Sequence, residues 1–346
     1  MANVLDLRRR IRSVKNTRQI TKAMKMVSAA KLRRAQERAL QSRPFAQMLT
    51  NVLQSVVSRS ELFDPDTGVP LHPLLRETRP EKTVLIIIVT GDRGLAGAFN
   101  SNVLKAPLRF TEYLHDKNID VIAIGRKGRD FLRRRFPMAN PESTERAGRV
   151  QIVGEHVNIL GKVEYDAVEE IAEKIIKSYC QEEIDAVYLV FNEFKSVISQ
   201  RVIVQRILPV QEIGRREVAQ VEELSAESRE RMGEAAKSAG VSLQAPDTTE
   251  IDREAVKFAT APVDYIYEQP PGELLTDILP RYVAIQIYSS LLESVAAEHA
   301  ARMTAMDSAT NNANDVIDSL TLTLNRVRQA AITKEIIEIV SGAAAL

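Results

Sequence analysis

The C-terminal quarter of this sequence carries a regular stripe of mostly apolar residues. From Ile278 to Ala331 a packing residue recurs every three or four positions, as at Ala313, Val316 and Leu320, and fifteen such steps cover 53 residues. The average step is near 3.5 residues, which is the repeat of a helix that supercoils against a partner helix. No glycine interrupts residues 273–341, and Pro280 lies in the first turns. The sequence therefore predicts one continuous helix, roughly 108 Å long over residues 273–344.

The N-terminal segment predicts a second long helix that could be the partner. Apolar residues recur at three- and four-residue steps over residues 4–27, without glycine or proline. Residues 1–43 carry thirteen Lys and Arg against two acids, whereas the stretch from Glu273 carries nine acids against five bases. These opposite charges favour antiparallel pairing of the two helices. Pro44 lacks a backbone donor, so we expect a kink there and a helix that resumes to residue 59.

Between the two helices the pattern changes to alternating strands and helices. Residues 83–90 are rich in β-branched residues, which is typical of a strand buried on both faces. The alternation predicts a Rossmann-like α/β domain with a mostly parallel sheet. The predicted strands are residues 83–90, 121–124, 150–153, 186–191 and 201–210, and the predicted helices are 98–115, 129–136 and 167–181. The chain divides into an N-terminal helix (1–60), a linker (61–81), the α/β domain (82–210), a polar insertion (211–262) and the C-terminal helix (263–346).

The polar insertion has its own composition. It holds eleven acids and seven bases, few large apolar residues, and several glycines and prolines. Such a composition buries little apolar surface. We therefore expect a surface helix over residues 217–239 and a flexible loop over residues 242–249.

The loop after the first predicted strand, residues 90–100, is a candidate phosphate-binding loop because it opens a helix. The match is poor, since Gly97 is followed by Ala98 and Phe99 where a Walker loop has Lys and then Ser or Thr. The glycines at 91, 94 and 97 also have the wrong spacing for a dinucleotide fingerprint. A structural tight turn is the favoured interpretation.

Other features give little support for catalysis. The four histidines, His72, His115, His156 and His299, are far apart and lack neighbours at metal-ligand spacing. Cys180 is the single cysteine, so no disulfide forms within the chain. No apolar run is long enough to span a membrane.

The basic N-terminal helix leaves three interpretations open. Its Lys and Arg side chains could neutralise nucleic-acid phosphates, could be solvated, or could face an acidic protein collar. No aromatic residue precedes Phe45, so the helix offers no ring that could stack on a base. A nucleic-acid-binding coiled-coil protein remains the alternative function.

Several groups of residues closely resemble the gamma subunit family of the F-type ATP synthases. Residues 16–27 are similar to the N-terminal signature of the family, and residues 92–100 to a motif that recurs in it without nucleotide. The C-terminal signature residues are Arg302, Met306, Ile332, Thr333, Glu335, Glu338 and Gly342. The resemblance covers residues 2–210 and 263–346.

The resemblance implies a central rotor shaft that couples proton-driven rotation of a membrane ring to ATP synthesis. The paired helices would turn inside a hexameric ring of alternating alpha and beta subunits, and the α/β domain would be a foot at the membrane side. One copy would serve each complex, with the epsilon subunit and the membrane c-ring as further partners. The chain would bind no cofactor, metal, nucleotide or nucleic acid and perform no chemistry. It would be peripheral on the cytoplasmic side of a bacterial inner membrane.

The resemblance also implies roles for particular residues. The smooth C-terminal stretch, residues 341–346, would turn in an apolar bearing. The other implied contacts are to the beta subunits by Lys22, Met24, Lys25, Arg328 and Gln329, and to the membrane ring by Tyr265, Tyr267 and Glu268.

The insertion at residues 211–262 departs from most of the family. It contains no cysteine, so it does not resemble the dithiol-bearing regulatory insert of plant plastids. We expect a peripheral helix and loop that modulates rotation or the docking of epsilon.

Overall fold

The computed structural model describes residues 4–59, 70, 72–77, 80–140, 145–211, 213–214, 216–243 and 269–344. In these residues the chain forms six α-helices, two short 3-10 helices and six strands. The helices are α1 (Val4–Arg59), α2 (Phe99–Tyr113), α3 (Arg126–Leu132), α4 (Tyr165–Cys180), α5 (Ala226–Ser238) and α6 (Pro271–Ala344). The strands are β1 (Thr83–Val89), β2 (Asn118–Ile124), β3 (Val150–His156), β4 (Ala186–Phe194), β5 (Gln200–Leu208) and β6 (Glu217–Glu223). Outside the described residues lie Tyr265, Tyr267, Glu268, most of the predicted linker and all but two residues of the predicted loop 242–249.

The strands form one mixed sheet in the order β3-β2-β1-β4-β5-β6. The first four in that order are parallel, whereas β5 and β6 are antiparallel to their neighbours. The predicted α/β class is confirmed. β5 turns back because only residues 195–199 join it to β4, and so short a connection produces a hairpin.

The two faces of β1 explain its continuous apolar sequence. Leu85, Ile87 and Val89 join one core, which also contains α4, the start of α6 and the end of α1. Val84, Ile86 and Ile88 alternate with them and join the core beneath α2 on the other face. Because α6 forms part of the first core from Leu275 to Leu292, the long C-terminal helix is built directly onto the sheet.

The insertion differs from the prediction. Residues 217–223 form a strand rather than helix, because their half-buried and exposed side chains alternate and their backbone pairs with β5. Helix begins only at Ala226, where the Ser225 hydroxyl accepts a hydrogen bond from the Ser228 N–H. The prediction of a helix over residues 217–239 was therefore wrong in its first third, and the sheet extends beyond residue 210.

The two terminal helices are much longer than the domain they flank. α1 has 56 residues and α6 has 74, so their lengths are about 84 Å and 111 Å. Pro44 lies inside α1, which continues through it as one helix to Arg59. Each helix therefore projects far beyond the sheet, which leaves long surfaces for contacts between the helices or with partners.

Candidate functional site

The terminal helices α1 and α6 pair with each other along the part of α6 that leaves the sheet. Polar contacts join them at three levels: the Arg18 guanidinium donates to the Asn314 amide oxygen at 3.0 Å, Thr310 donates to Thr21 at 2.8 Å, and the Lys25 ammonium donates to Asp307 at 2.6 Å. The residue numbers of each pair add to 331 or 332. A constant sum means that the helices run antiparallel, as their opposite charges predicted.

Lys25 belongs to the contact between the two helices. Its side chain is 10% exposed, and its ammonium is paired with Asp307 and donates to the Ser238 hydroxyl of α5. Both partners lie within the chain, so its charge is satisfied without another subunit. Lys22 is exposed and Met24 is half-buried. Of the three residues implied to contact beta on α1, Lys22 offers its charge to solvent.

The far end of α6 extends beyond the described start of α1. The register of the pair places Val4 opposite about residue 328, so residues 329–344 continue for about 24 Å past it. All side chains at residues 329–341 are exposed. They include large apolar ones, such as Ile339 at 71% exposure. Exposed apolar residues grouped on one element mark a surface for a partner.

The predicted contact and signature residues separate into two places on α6. Arg328 and Gln329 lie exposed at the start of the projecting end, and Gly342 lies in its last turns. The exposed signature residues of that end are Ile332, Thr333, Glu335 and Glu338. Arg302 and Met306, in contrast, are buried. The sequence motif therefore combines a projecting surface with a packing surface.

At the packing surface, Arg302 pairs with Glu298 one turn earlier on α6. The two side chains are 11% and 8% exposed, and the Arg302 guanidinium also donates to the carbonyl of Gly94 at 3.4 Å. A Cβ on Gly91 would lie 2.7 Å from a Glu298 carboxylate oxygen. The loop at residues 90–100, called the glycine-rich loop below, thus lies against α6.

The loop is also fixed from within the α/β domain. The Asn100 side-chain oxygen accepts from the Gly91 N–H at 2.8 Å, and Asp92 accepts from the N–H groups of Arg126 and Asn158, both at 3.0 Å. The Gly91 N–H is already bonded to Asn100 and the Glu298 carboxylate lies beside Gly91, so this N–H is not available to a phosphate. The geometry favours the structural interpretation of the loop over phosphate binding.

No local pattern in the sequence identifies Glu298, Asp307 or Ser238 as partners in these contacts. Glu298 and Arg302 are four residues apart, which permits an ion pair on one helix face but does not show that the pair is buried. Asp307 and Ser238 meet Lys25 only through the register of three separate helices. No signal in the sequence marks Lys25 as buried, because its burial follows from the way α1, α5 and α6 pack together.

The described residues offer little for other chemistry. Within them, no group of three or more His, Cys, Asp or Glu side chains could hold a metal ion. No described helix is both long and apolar enough to cross a membrane.

His299 lies beside the ion pair of Arg302 and Glu298, and its pKa is shifted by burial. Its Nδ1 accepts from the Arg302 guanidinium at 3.3 Å, because an arginine can only donate. Burial, together with the nearby charges of Arg302 and Lys31, lowers the pKa of His299 from 6.5 to about 4. The imidazole is therefore neutral in the folded chain at neutral pH.

We expect His299 to make the folded chain less stable in acid. The unfolded chain takes up this proton near pH 6.5 but the folded chain only near pH 4, so stability falls as the pH drops between these values. The loss reaches about 3 kcal/mol at most. Urea unfolding of the wild type and His299→Gln at pH 7 and pH 5 measures the difference, which the variant should reduce. The matched control is His115→Gln at an exposed position; equal pH dependence of wild type and His299→Gln would contradict the assignment.

Comparison with known proteins gives a consistent result over the whole chain. Residues 3–346 match the model of the family described as ATP synthase. An ATP synthase gamma chain from Solibacter usitatus (strain Ellin6076) is 45% identical over 345 residues, covering 100% of this chain and 99% of the relative. The gamma chain from Trichlorobacter lovleyi (strain ATCC BAA-1151 / DSM 17278 / SZ) is 42% identical over 348 residues, covering 99% of this chain and 98% of the relative.

Solved structures show the same fold at lower identity. The central stalk and c-ring structure of the Tetrahymena thermophila mitochondrial ATP synthase contains a chain with a TM-score of 0.51 and 24% identity, covering 84% of this chain and 99% of its own length. A chain of the Euglena gracilis mitochondrial ATP synthase in rotational state 3 has a TM-score of 0.55 and 16% identity, covering 99% of this chain and 94% of its own. With full-length relatives above 40% identity, the chain belongs to the ATP synthase gamma chain family.

Proposed function

We propose that this chain is the central rotor shaft of a bacterial F-type ATP synthase. The observation that carries the proposal is the projecting end of α6, where family signature residues lie on a helix that is exposed on all sides. A helix with apolar residues around its surface needs a surrounding partner. A ring of alpha and beta subunits would provide that partner.

In this role the chain contributes no catalytic groups and binds no nucleotide. A shaft whose sides differ makes different contacts with each beta subunit. Such differential contacts bias the equilibrium among beta conformations, and rotation changes which subunit receives which contact. Exposed Lys22 and half-buried Met24 on α1, with Arg328 and Gln329 on α6, are the proposed beta contacts.

The opposite end of the chain would face the membrane. α6 begins at Pro271 and packs on one face of the sheet from Leu275 onward, so the start of the proposed shaft is attached to the α/β domain. Tyr265, Tyr267 and Glu268 precede this start in sequence and are the proposed contacts to the c-ring. We propose that epsilon docks on the α/β domain and that the complex lies on the cytoplasmic side of the inner membrane, driven by protons.

Co-expression with the alpha and beta subunits of the same organism tests the proposal. We expect one purified complex with three alpha subunits, three beta subunits and one copy of this chain, and ATP hydrolysis that depends on the chain. Purification of the chain alone, or ATPase activity unchanged by its omission, would overturn the shaft assignment. Tight duplex DNA binding with a steep salt dependence would instead support the nucleic-acid alternative.

A double substitution at the projecting end tests the proposed beta contacts. We expect Arg328→Ala with Gln329→Ala to reduce ATP-driven proton pumping or ring assembly, because exposed arginines contribute to partner binding more than to their own helix. The free energy of unfolding of the isolated chain should change by no more than about 0.5 kcal/mol. The control is Arg326→Ala, an exposed arginine two positions before Arg328. Normal assembly and pumping in the double variant would remove these two residues from the contact.

A further inference from the structure

Helix α5 of the insertion is not peripheral, contrary to expectation. Its inward face is buried and forms an apolar cluster with residues of α1 and α6, which are the two shaft helices. From α5 the cluster contains Met232, Ala235 and Ala236, from α1 it contains Ala29, Leu32 and Ala35, and from α6 it contains Ala296, Ala297, Ala300 and Met303. Because most of these side chains are small, the three helices approach closely.

Polar contacts fasten the C-terminal end of α5 to both shaft helices. The Ser238 hydroxyl accepts from the Lys25 ammonium of α1 and donates to Asp307 of α6 at 3.3 Å. Just beyond the helix, the Gly240 carbonyl accepts from the Arg33 guanidinium. Each shaft helix is therefore held by the same short segment.

The other attachments of α5 are to the sheet. β6, which leads into α5, pairs with β5 over its length, and Arg229 of α5 pairs with Glu223 at the end of β6 at 2.6 Å. Val197, in the turn between β4 and β5, is buried in the same cluster as α5. A Cβ on Gly233 would lie 3.6 Å from the Ile198 side chain. The insertion thus links the edge of the sheet to the shaft.

These attachments lie where the paired helices leave the sheet. The last residues of α6 in the core under the sheet are near Leu292, and the α5 cluster covers Ala296 to Met303. A torque between the projecting end and the α/β domain must pass through this junction. A third helix fixed to the sheet edge and packed beside the pair resists rotation of the pair relative to the sheet.

We propose that β6 and α5 form a brace that holds the shaft in a fixed orientation on the α/β domain while torque passes between them. The inference rests on the proposed rotor function. Met232 and Ala236 are positioning residues in this brace, since they pack α5 against α1 and α6 and touch no substrate. Loss of the brace would let the shaft twist without driving the membrane ring.

The test places a charge in the buried face of α5. Ala236 is fully buried, so an unpaired carboxylate there should detach α5 from α1 and α6. Hydrogen exchange of residues 226–238 should then rise by roughly 100-fold in the full-length chain. In the reconstituted complex we expect Ala236→Asp to lower proton pumping per ATP by half or more while ATP hydrolysis continues. The matched control is Glu234→Asp, which places the same side chain at an exposed position of the same helix.

The outcomes separate the brace from the rotor function itself. Faster hydrogen exchange with unchanged proton pumping per ATP would refute the brace proposal. Unchanged hydrogen exchange would also refute it, because it would show that this face does not hold α5 against α1 and α6. If Ala236→Asp fails to fold, Met232→Ala replaces it, with exchange expected to rise roughly 30-fold and the same loss of coupling. A wild-type complex that neither assembles nor pumps would instead refute the proposed function.

Discussion

Replacing Gly125 with alanine is expected to abolish stable folding of the α/β domain. Gly125 follows β2 with φ 96° and ψ 142°, a backbone conformation that L side chains rarely adopt. A Cβ there would lie 1.9 Å from the carbonyl oxygen of Thr90. The Thr90 N–H donates to the Ile124 carbonyl at 2.8 Å and its hydroxyl accepts from the Gly128 N–H at 2.7 Å, so the backbone cannot move away freely. We expect a loss of at least about 4 kcal/mol.

Urea unfolding followed by circular dichroism measures this loss, or shows that the variant is insoluble. The control is Gly161→Ala, because a Cβ at Gly161 meets nothing within 4 Å and should change stability by no more than about 0.5 kcal/mol. A Gly125→Ala chain with wild-type stability would mean that the contact between the ends of β1 and β2 is not as close as described.

The second large effect is expected at the junction between shaft and sheet. Arg302→Met removes the guanidinium that pairs with Glu298 and donates to the Gly94 carbonyl. The Glu298 carboxylate then remains buried without a cation, which costs about 3–5 kcal/mol in comparable buried pairs. Because the pair lies against the glycine-rich loop, the damage should reach both the shaft and the α/β domain.

Two further variants show whether the unpaired charge is the cause. Arg326→Met removes an exposed arginine of the same helix and should change stability by no more than about 0.5 kcal/mol. Adding Glu298→Leu to Arg302→Met removes the buried charge, and should restore a large part of the lost free energy of unfolding. Equal losses in the single and double variants would show that packing of the arginine stem, rather than charge, holds the junction.

Several parts of the candidate site could be predicted from the sequence. The stripe from Ile278 predicted the long C-terminal helix, and the opposite charges of the two ends predicted antiparallel pairing. The interpretation of residues 90–100 as a structural turn stays a prediction, and the structure adds that the Glu298 carboxylate lies beside Gly91. The roles given to Lys22, Met24, Arg328 and Gln329 stay predictions.

The periodicity of the C-terminal stripe does not predict every buried residue correctly. Val316 belongs to the predicted stripe, but the structure exposes it by 45% and buries the neighbouring Ile317. A helix drifts relative to a strict 3.5-residue repeat, so contact with the partner helix decides which of two adjacent apolar residues is covered. The same contact pairs Lys25 with Asp307.

Residues that are neighbours in the chain suffice to predict the two long helices and the strand of β-branched residues at β1, and the terminal motifs suffice to predict the family. The strand at residues 217–223, in contrast, depends on a distant segment, because its pairing partner β5 supplies the hydrogen bonds. The packing of α5 on α1 and α6 depends on distant segments too. The face made of Met232, Ala235 and Ala236 is buried because the small residues of α1 and α6 allow α5 to approach closely. Local periodicity records which residues share a face, whereas contacts between distant segments decide what that face meets.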